Sequence, residues 1–154
     1  MENLTNAEQK MRAGFFDTVG LMRQLYNRSL ESVCIKFGMT RMELDVLLFL
    51  ANNPEFDTAS DIVELRGLSK SHVSTSVAGL EKRGYLERNH RSGNRRTVHL
   101  KLKADAEAAV EAGRLAQRRF FTVAFRGISL EDREAMERSF EKMAGNVREI
   151  LWEE

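Results

Sequence analysis

Residues 68–84 read LSKSHVSTSVAGLEKRG. Two patterns overlap in this stretch. Val73, Val77 and Leu80 recur at helical spacing and make one apolar stripe. Opposite them, at about 100° per residue, stand Ser71, Thr75, Ala78 and Lys82, with His72 and Ser74 on the shoulders. Ser and Thr compete with the backbone for hydrogen bonds and are mediocre helix formers. A solvated face is ordinarily written with Glu, Lys, Arg and Gln. A face of small hydroxyl side chains lets a helix axis come close to another surface. Ser69 is placed to cap this helix, Leu68 and Val73 to staple its start, and Gly84 to end it.

Working upstream, "RGL" at residues 66–68 is a tight turn. Before it, Thr58 and Asp61 cap a short helix bearing Ile62 and Leu65. Thr40 and Glu43 form a capping box for a helix carrying Leu44, Leu47, Leu48 and Leu50, which stops at "NNP", residues 52–54. From about residue 8 to 37, Met11, Phe15, Val19, Met22, Tyr26, Leu30, Val33 and Phe37 form one seam at steps of three and four. This first helix is long. Gly14 and Gly20 weaken it and mark a bend or a close approach.

Downstream, residues 85–90 and 95–102 read as two strands around the turn "RSGN". Val98, Leu100 and Leu102 alternate with His99, Lys101 and Lys103, giving one buried and one wet face. An Ala-rich helix follows, broken by Gly127. Ser129 and Asp132 then cap a last helix with Met136, Phe140, Met143, Val147, Ile150 and Leu151.

The chain has 154 residues, no visible internal repeat and a net charge of +1. That charge is unevenly spread. Residues 66–103 hold ten Lys or Arg against Glu81 and Glu87, a local +8, and all three histidines. A segregated basic segment in a near-neutral protein is the electrostatic footprint of a polyanion partner. The apolar run of residues 46–51 is too short to span a membrane, and the N-terminus does not read as a secretory signal. The single cysteine, Cys34, excludes an internal disulfide and fits a reducing cytoplasm. Flanked by Val33 and Ile35, it reads as a buried, inert thiol. His72, His90 and His99 lack metal-site spacing, and no enzymatic constellation or cofactor motif is visible. Phe15-Phe16 and Phe120-Phe121 read as core or subunit interface.

Helix, turn, helix and a basic two-stranded ribbon make a winged helix-turn-helix, whose second helix enters the major groove of DNA. The fold class is therefore mainly α with a small β-hairpin wing. Ser71, His72, Ser74 and Thr75 are the candidates for base edges, and Ser69, Lys70 and Lys82 for phosphates. Arg91, Arg95 and Arg96 are the candidates for wing contacts.

Residues 39–103 resemble the MarR family of bacterial transcription regulators. The family's Leu-Glu-x-x-Gly pattern, apolar pair and Arg appear here as Leu80, Glu81, Gly84, Tyr85, Leu86 and Arg88. Two positions depart from it. The family wing carries Asp-x-Arg, with the Arg reaching the minor groove; this chain has Asn94-Arg95-Arg96, and Arg96 matches the Arg. A Thr that caps the next helix in the family is replaced by Lys103. The resemblance implies a single domain over 1–154, with a DNA-binding lobe at 39–103 and a helical dimerisation region at 8–37 and 104–154. It also implies a cytoplasmic homodimer on pseudo-palindromic double-stranded DNA. Such a protein represses its targets and releases DNA when a small aromatic or phenolic effector binds. The two departures keep open a second reading, a winged-helix module for protein partners.

Overall fold

The computed structural model describes residues 5–91 and 94–152, the side chains at 7, 8, 91, 94, 95 and 152 excepted. Six helices and one hairpin follow in the order α1 (Asn6–Phe37), α2 (Arg41–Asn52), α3 (Ala59–Arg66), α4 (Lys70–Lys82), β1 (Leu86–Arg91), β2 (Asn94–Leu102), α5 (Glu107–Ala124) and α6 (Leu130–Trp152). A single 3-10 turn, Ala104–Ala106, leads into α5. The elements form two compact units, residues 1–120 and 121–154.

Local signals set the helix boundaries. Thr40 accepts from the Glu43 amide while Glu43 accepts from the Thr40 amide, and Thr58 with Asp61 repeats the arrangement at α3. Ser69 accepts from the His72 amide at 3.3 Å, and Ser129 from the Asp132 amide at 3.1 Å. Gly38, Gly67, Gly84 and Gly127 take positive φ, where a Cβ would be strained. At the start of the 3-10 turn Lys103 makes no side-chain cap, as its replacement of Thr implies.

In the first unit α2 is the centre. Leu44, Val46, Leu47, Leu48, Phe49 and Leu50 are all buried. A helix apolar on nearly every side has neighbours on every side. Leu30 and Val33 of α1, Ile62 of α3, Val73, Val77 and Leu80 of α4, and Leu86 and Leu100 of the hairpin complete this core. Each fully buried leucine stabilises the fold by about 1.5–3 kcal/mol. Ala109, Gly113, Ala116 and Phe120 form the buried stripe of α5. A Cβ at Gly113 would stand 2.8 Å from Leu48 Cδ2, so the absence of a side chain sets how close α5 lies to α2. At Gly14 and Gly20 a Cβ would have no atom within 4 Å among the described residues, so this chain's own packing does not explain either glycine.

The seam of α1 divides. Tyr26, Leu30, Val33 and Phe37 pack on the core, whereas Met11, Phe15 and Val19 are 71%, 41% and 48% exposed. In the second unit the Phe121 and Phe125 rings lie 5.7 Å apart, and Arg133 donates to the Phe125 carbonyl at 2.8 Å. Phe140, Val147, Ile150 and Leu151 of α6 are exposed.

The strands pair antiparallel, Leu86 opposite Leu102 and Arg88 opposite Leu100, with an irregularity between Asn89 and Arg91. The expected alternation fails at His99. Its side chain is only 14% exposed, because the α2–α3 loop lies against β2. Thr58 bridges to His99, the Leu100 amide donates to the Asp57 carbonyl at 2.7 Å, and His99 Nδ1 lies 2.7 Å from Asp57 Oδ1.

Gly113→Val should lower stability by about 1–3 kcal/mol, the range for overpacking a filled core. Denaturant unfolding measures this, and an unchanged midpoint would mean that Leu48 yields freely.

Candidate nucleic-acid interface

Burial of Val73, Val77 and Leu80 rotates α4 so that Ser71, His72, Ser74, Thr75, Ala78 and Lys82 are all exposed. Ser76 is buried with the stripe, 7% exposed, and is not part of the hydroxyl face. Ser69 uses its oxygen as a helix cap and lies 3.3 Å from the Ser71 hydroxyl. Lys70 is exposed at the first turn, where the unsatisfied amides of a helix N-terminus also favour an anion.

Between α3, α4 and the hairpin opens a cleft of about 410 Å³. Lys70 and Ser74 line it from α4, Ser60 and Glu64 from α3, and Arg88 and Val98 from the hairpin. The base of the hairpin is fixed by the Asp57–His99 contact described above. Arg96 is exposed on β2. Arg91 and Arg95 carry backbone in the strands, but their side chains lie outside the described residues, as does that of Asn94.

The ten basic residues of 66–103 do not all act outward. Arg83 donates to the carbonyls of Phe37 and Gly38. Arg88 pairs with Glu81 at 3.0 Å, and Arg66 sits 5.4 Å over the Phe49 ring. Lys70, Lys82, Lys101 and Lys103 are exposed. The outward positive surface is therefore narrower than the charge count.

A second cavity, about 210 Å³, lies between α1, α2, α3 and α5. Leu48, Phe49 and Leu68 supply apolar walls, and Tyr26, Arg41, Asp45, Arg66 and Gln117 supply polar atoms. Arg41 is held by Asp45 at 3.0 Å and Asn27 at 2.7 Å, and its guanidinium stacks 4.9 Å from the Tyr26 ring. Gln117 donates to the Tyr26 hydroxyl at 2.7 Å. Arg114 donates to Asn52 and to the Ala51 carbonyl, tying α5 to the end of α2. Burial raises the Asp45 pKa above its ordinary value, against the pull of Arg41. Cys34 is half-buried rather than fully buried, and burial pushes its thiol pKa up as well. Sequence reading missed Asp57, Asp45, Arg41 and Gln117, because no local pattern marks a polar residue whose partner is on another element.

The model of the MarR family matches residues 37–97. An uncharacterised HTH-type transcriptional regulator of Bacillus subtilis, YfiV, is 26% identical over 119 residues. The match covers 77% of this chain and 64% of that protein's length. Among solved structures, a MarR-family regulator from Silicibacter pomeroyi is similar at a TM-score of 0.79 and 19% identity, covering 96% of this chain and 97% of that one. Sco3205, a MarR-family regulator from Streptomyces coelicolor solved in complex with DNA, gives 0.76 and 19% over 95% and 91%. BpsR of Bordetella bronchiseptica, whose DNA binding is regulated by 6-hydroxynicotinic acid, gives 0.68 and 18% over 93% and 98%. The fold is that of a winged helix-turn-helix protein. Residues 37–97, which hold α2, α3, α4 and most of the hairpin, are the part that matches the MarR-family model.

Because the folded-state pKa of Asp45 is raised, the native state holds its proton at pH values where the unfolded chain has released it. The stability this group contributes is present at low pH and is lost as pH rises through the folded pKa. Asp45→Asn should therefore gain stability relative to the parent on passing from pH 4 toward neutrality. Paired thermal melts across that range measure the difference, and a constant difference would contradict it.

Proposed function

We propose that this chain is a transcription regulator that binds double-stranded DNA as a homodimer and represses its targets, with a small aromatic ligand as effector. The observation that carries this reading is the outward face of α4. Small hydroxyl side chains stand where α4 is free to approach a surface, beside exposed lysines and a basic hairpin. Ser71, His72, Ser74 and Thr75 face base edges in the major groove, where the Thr methyl suits a thymine methyl. Ser69, Lys70 and Lys82 hold phosphates. Arg91, Arg95 and Arg96 carry the wing contacts, with Arg96 in the minor groove. Phosphate contacts give affinity and base contacts give sequence choice. The domain division follows the same logic: residues 39–103 form the DNA-binding lobe, and 8–37 with 104–154 the helical region that pairs two copies.

Two apolar faces support the dimer. Met11, Phe15 and Val19 along the seam of α1 are 71%, 41% and 48% exposed, and α6 leaves Phe140 and Ile150 at 53% and 81%. Large exposed apolar side chains in such number mark an interface. Two-fold symmetry would set two recognition helices about one DNA turn apart. The 210 Å³ cavity supports the effector. It is smaller than the roughly 300–1,000 Å³ of drug-sized sites, so it suits a one-ring molecule. Arg66 offers positive charge to an acidic substituent, whereas Arg41 is paired with Asp45. Comparison with BpsR agrees, since 6-hydroxynicotinic acid is a one-ring acid.

Binding of a duplex selected from a random pool should weaken about a thousandfold or more between 50 and 200 mM salt, the range for six to ten phosphate contacts. Thr75→Glu should abolish it by repulsion from phosphate while leaving the thermal melt nearly unchanged. Salt-independent binding, or none, would favour a module for protein partners. A strong loss of stability in Thr75→Glu would show that α4 is rotated differently.

Sedimentation at micromolar concentration should give a dimer, and Phe140→Glu should shift it toward monomer, because a charge buried without a partner is costly. A parent that sediments as a well-folded monomer overturns the dimer.

A further inference from the structure

Arg83 belongs by sequence to the basic segment, yet its guanidinium turns away from the hydroxyl face. Nη1 donates to the Gly38 carbonyl at 2.9 Å, and Nη2 to the Phe37 carbonyl at 2.6 Å. These carbonyls close the end of α1, where the chain turns at Gly38 and no further helical turn supplies donors. Nη1 also lies 3.6 Å from Glu43 Oε2, and the guanidinium stacks 4.9 Å from the Tyr85 ring. Arg83 is itself the C-cap of α4. One side chain therefore ties the C-cap of α4 to the last turn of α1.

Glu43 makes this a three-way joint. Its Oε2 accepts from the Thr40 amide at 2.8 Å, capping α2. Its Oε1 lies 2.7 Å from where a Cβ at Gly79 would sit, so a residue inside α4 lacks a side chain where the carboxylate passes. Apolar stripes such as Val73, Val77 and Leu80 resist separation but are nearly indifferent to small rotations. A planar fork of charge-assisted hydrogen bonds is directional, and a lysine cannot reproduce it.

We propose that Arg83 is a positioning residue that fixes the orientation of α4 against α1, and so sets affinity for duplex DNA without touching it. This rests on the DNA reading of α4 given above. It also makes the joint the mechanical route by which a displacement of the long helix reaches the hydroxyl face.

The test uses the full chain and a duplex selected from a random pool by the parent. Affinity is measured across salt for the parent, Arg83→Lys, Arg83→Gln and, as a phosphate-contact comparator, Lys82→Gln. Both Arg83 variants should weaken binding about tenfold with an unchanged salt slope, whereas Lys82→Gln should lower the slope by about 0.9. Arg83→Lys keeps the charge and carries the test if Arg83→Gln does not fold. Hydrogen exchange supplies a second readout. In Arg83→Lys the Met39 and Tyr85 amides, bonded to the Cys34 and Leu80 carbonyls, should exchange faster while those of Leu47 and Leu48 do not. Parent-like binding by Arg83→Lys overturns the proposal, as does a lower salt slope in Arg83→Gln or a uniform rise in exchange. A parent that binds no duplex overturns the DNA reading and this proposal with it. A parent that binds while Arg83→Lys is unchanged overturns the joint alone.

Discussion

Seating Val73, Val77 and Leu80 in the core is the constraint on which the rest depends. Burying its stripe decides which side of an α-helix faces inward, and the outward face follows from that choice. With these three inward, Ser71, Thr75 and Lys82 are outward whatever contacts they make themselves. The surface is thus specified by residues that never reach it. The same burial places the start of α4 beside the hairpin and its end beside α1. The cleft at one end and the Arg83 joint at the other are consequences of a single packing event.

Most of the fold was legible because its boundaries are written locally. Thr40 with Glu43, Thr58 with Asp61, and Ser129 with Asp132 are three-residue signals, and they act over three residues in the folded chain. Positive φ at Gly38, Gly67 and Gly84 is likewise a property of one residue. What was not legible acts at a distance. His99 was assigned to a wet face by alternation along its own strand. Its partner Asp57 lies 42 residues earlier, and nothing periodic announces it. Arg83 counted as a unit of charge because its acceptors, 45 and 46 residues away, are backbone carbonyls with no sequence signature. The rotation of α4 was legible from residue spacing. Arg91 and Arg95 are candidates for the wing from the basic ribbon downstream of α4, and their side chains lie outside the described residues.

The long first helix shows how one sequence pattern serves two environments. Its seam keeps the same rhythm from Met11 to Phe37. Only the portion from Tyr26 onward lies over the core, and the portion before it presents the same kind of surface to solvent. Periodicity specifies which side is apolar but is silent about what covers it. That is why α1 reads as one element in sequence and behaves as two in burial.

The bridge between Thr58 and His99 turns the hairpin into a cantilever. Its fixed end is the α2–α3 loop, and β2 extends beyond that anchor from Val98 back to Asn94. At about 3.3 Å per residue those five positions make an arm of about 16 Å. One degree of tilt at the anchor then displaces the far end by about 0.3 Å, so small changes at the root are magnified where Asn94 and Arg95 stand. The aim of the arm is therefore governed by a loop some forty residues away in sequence. Insertions or deletions between Pro54 and Thr58 should re-aim the wing while leaving its own sequence untouched, which gives the fold a means to vary reach independently of the side chains at the tip.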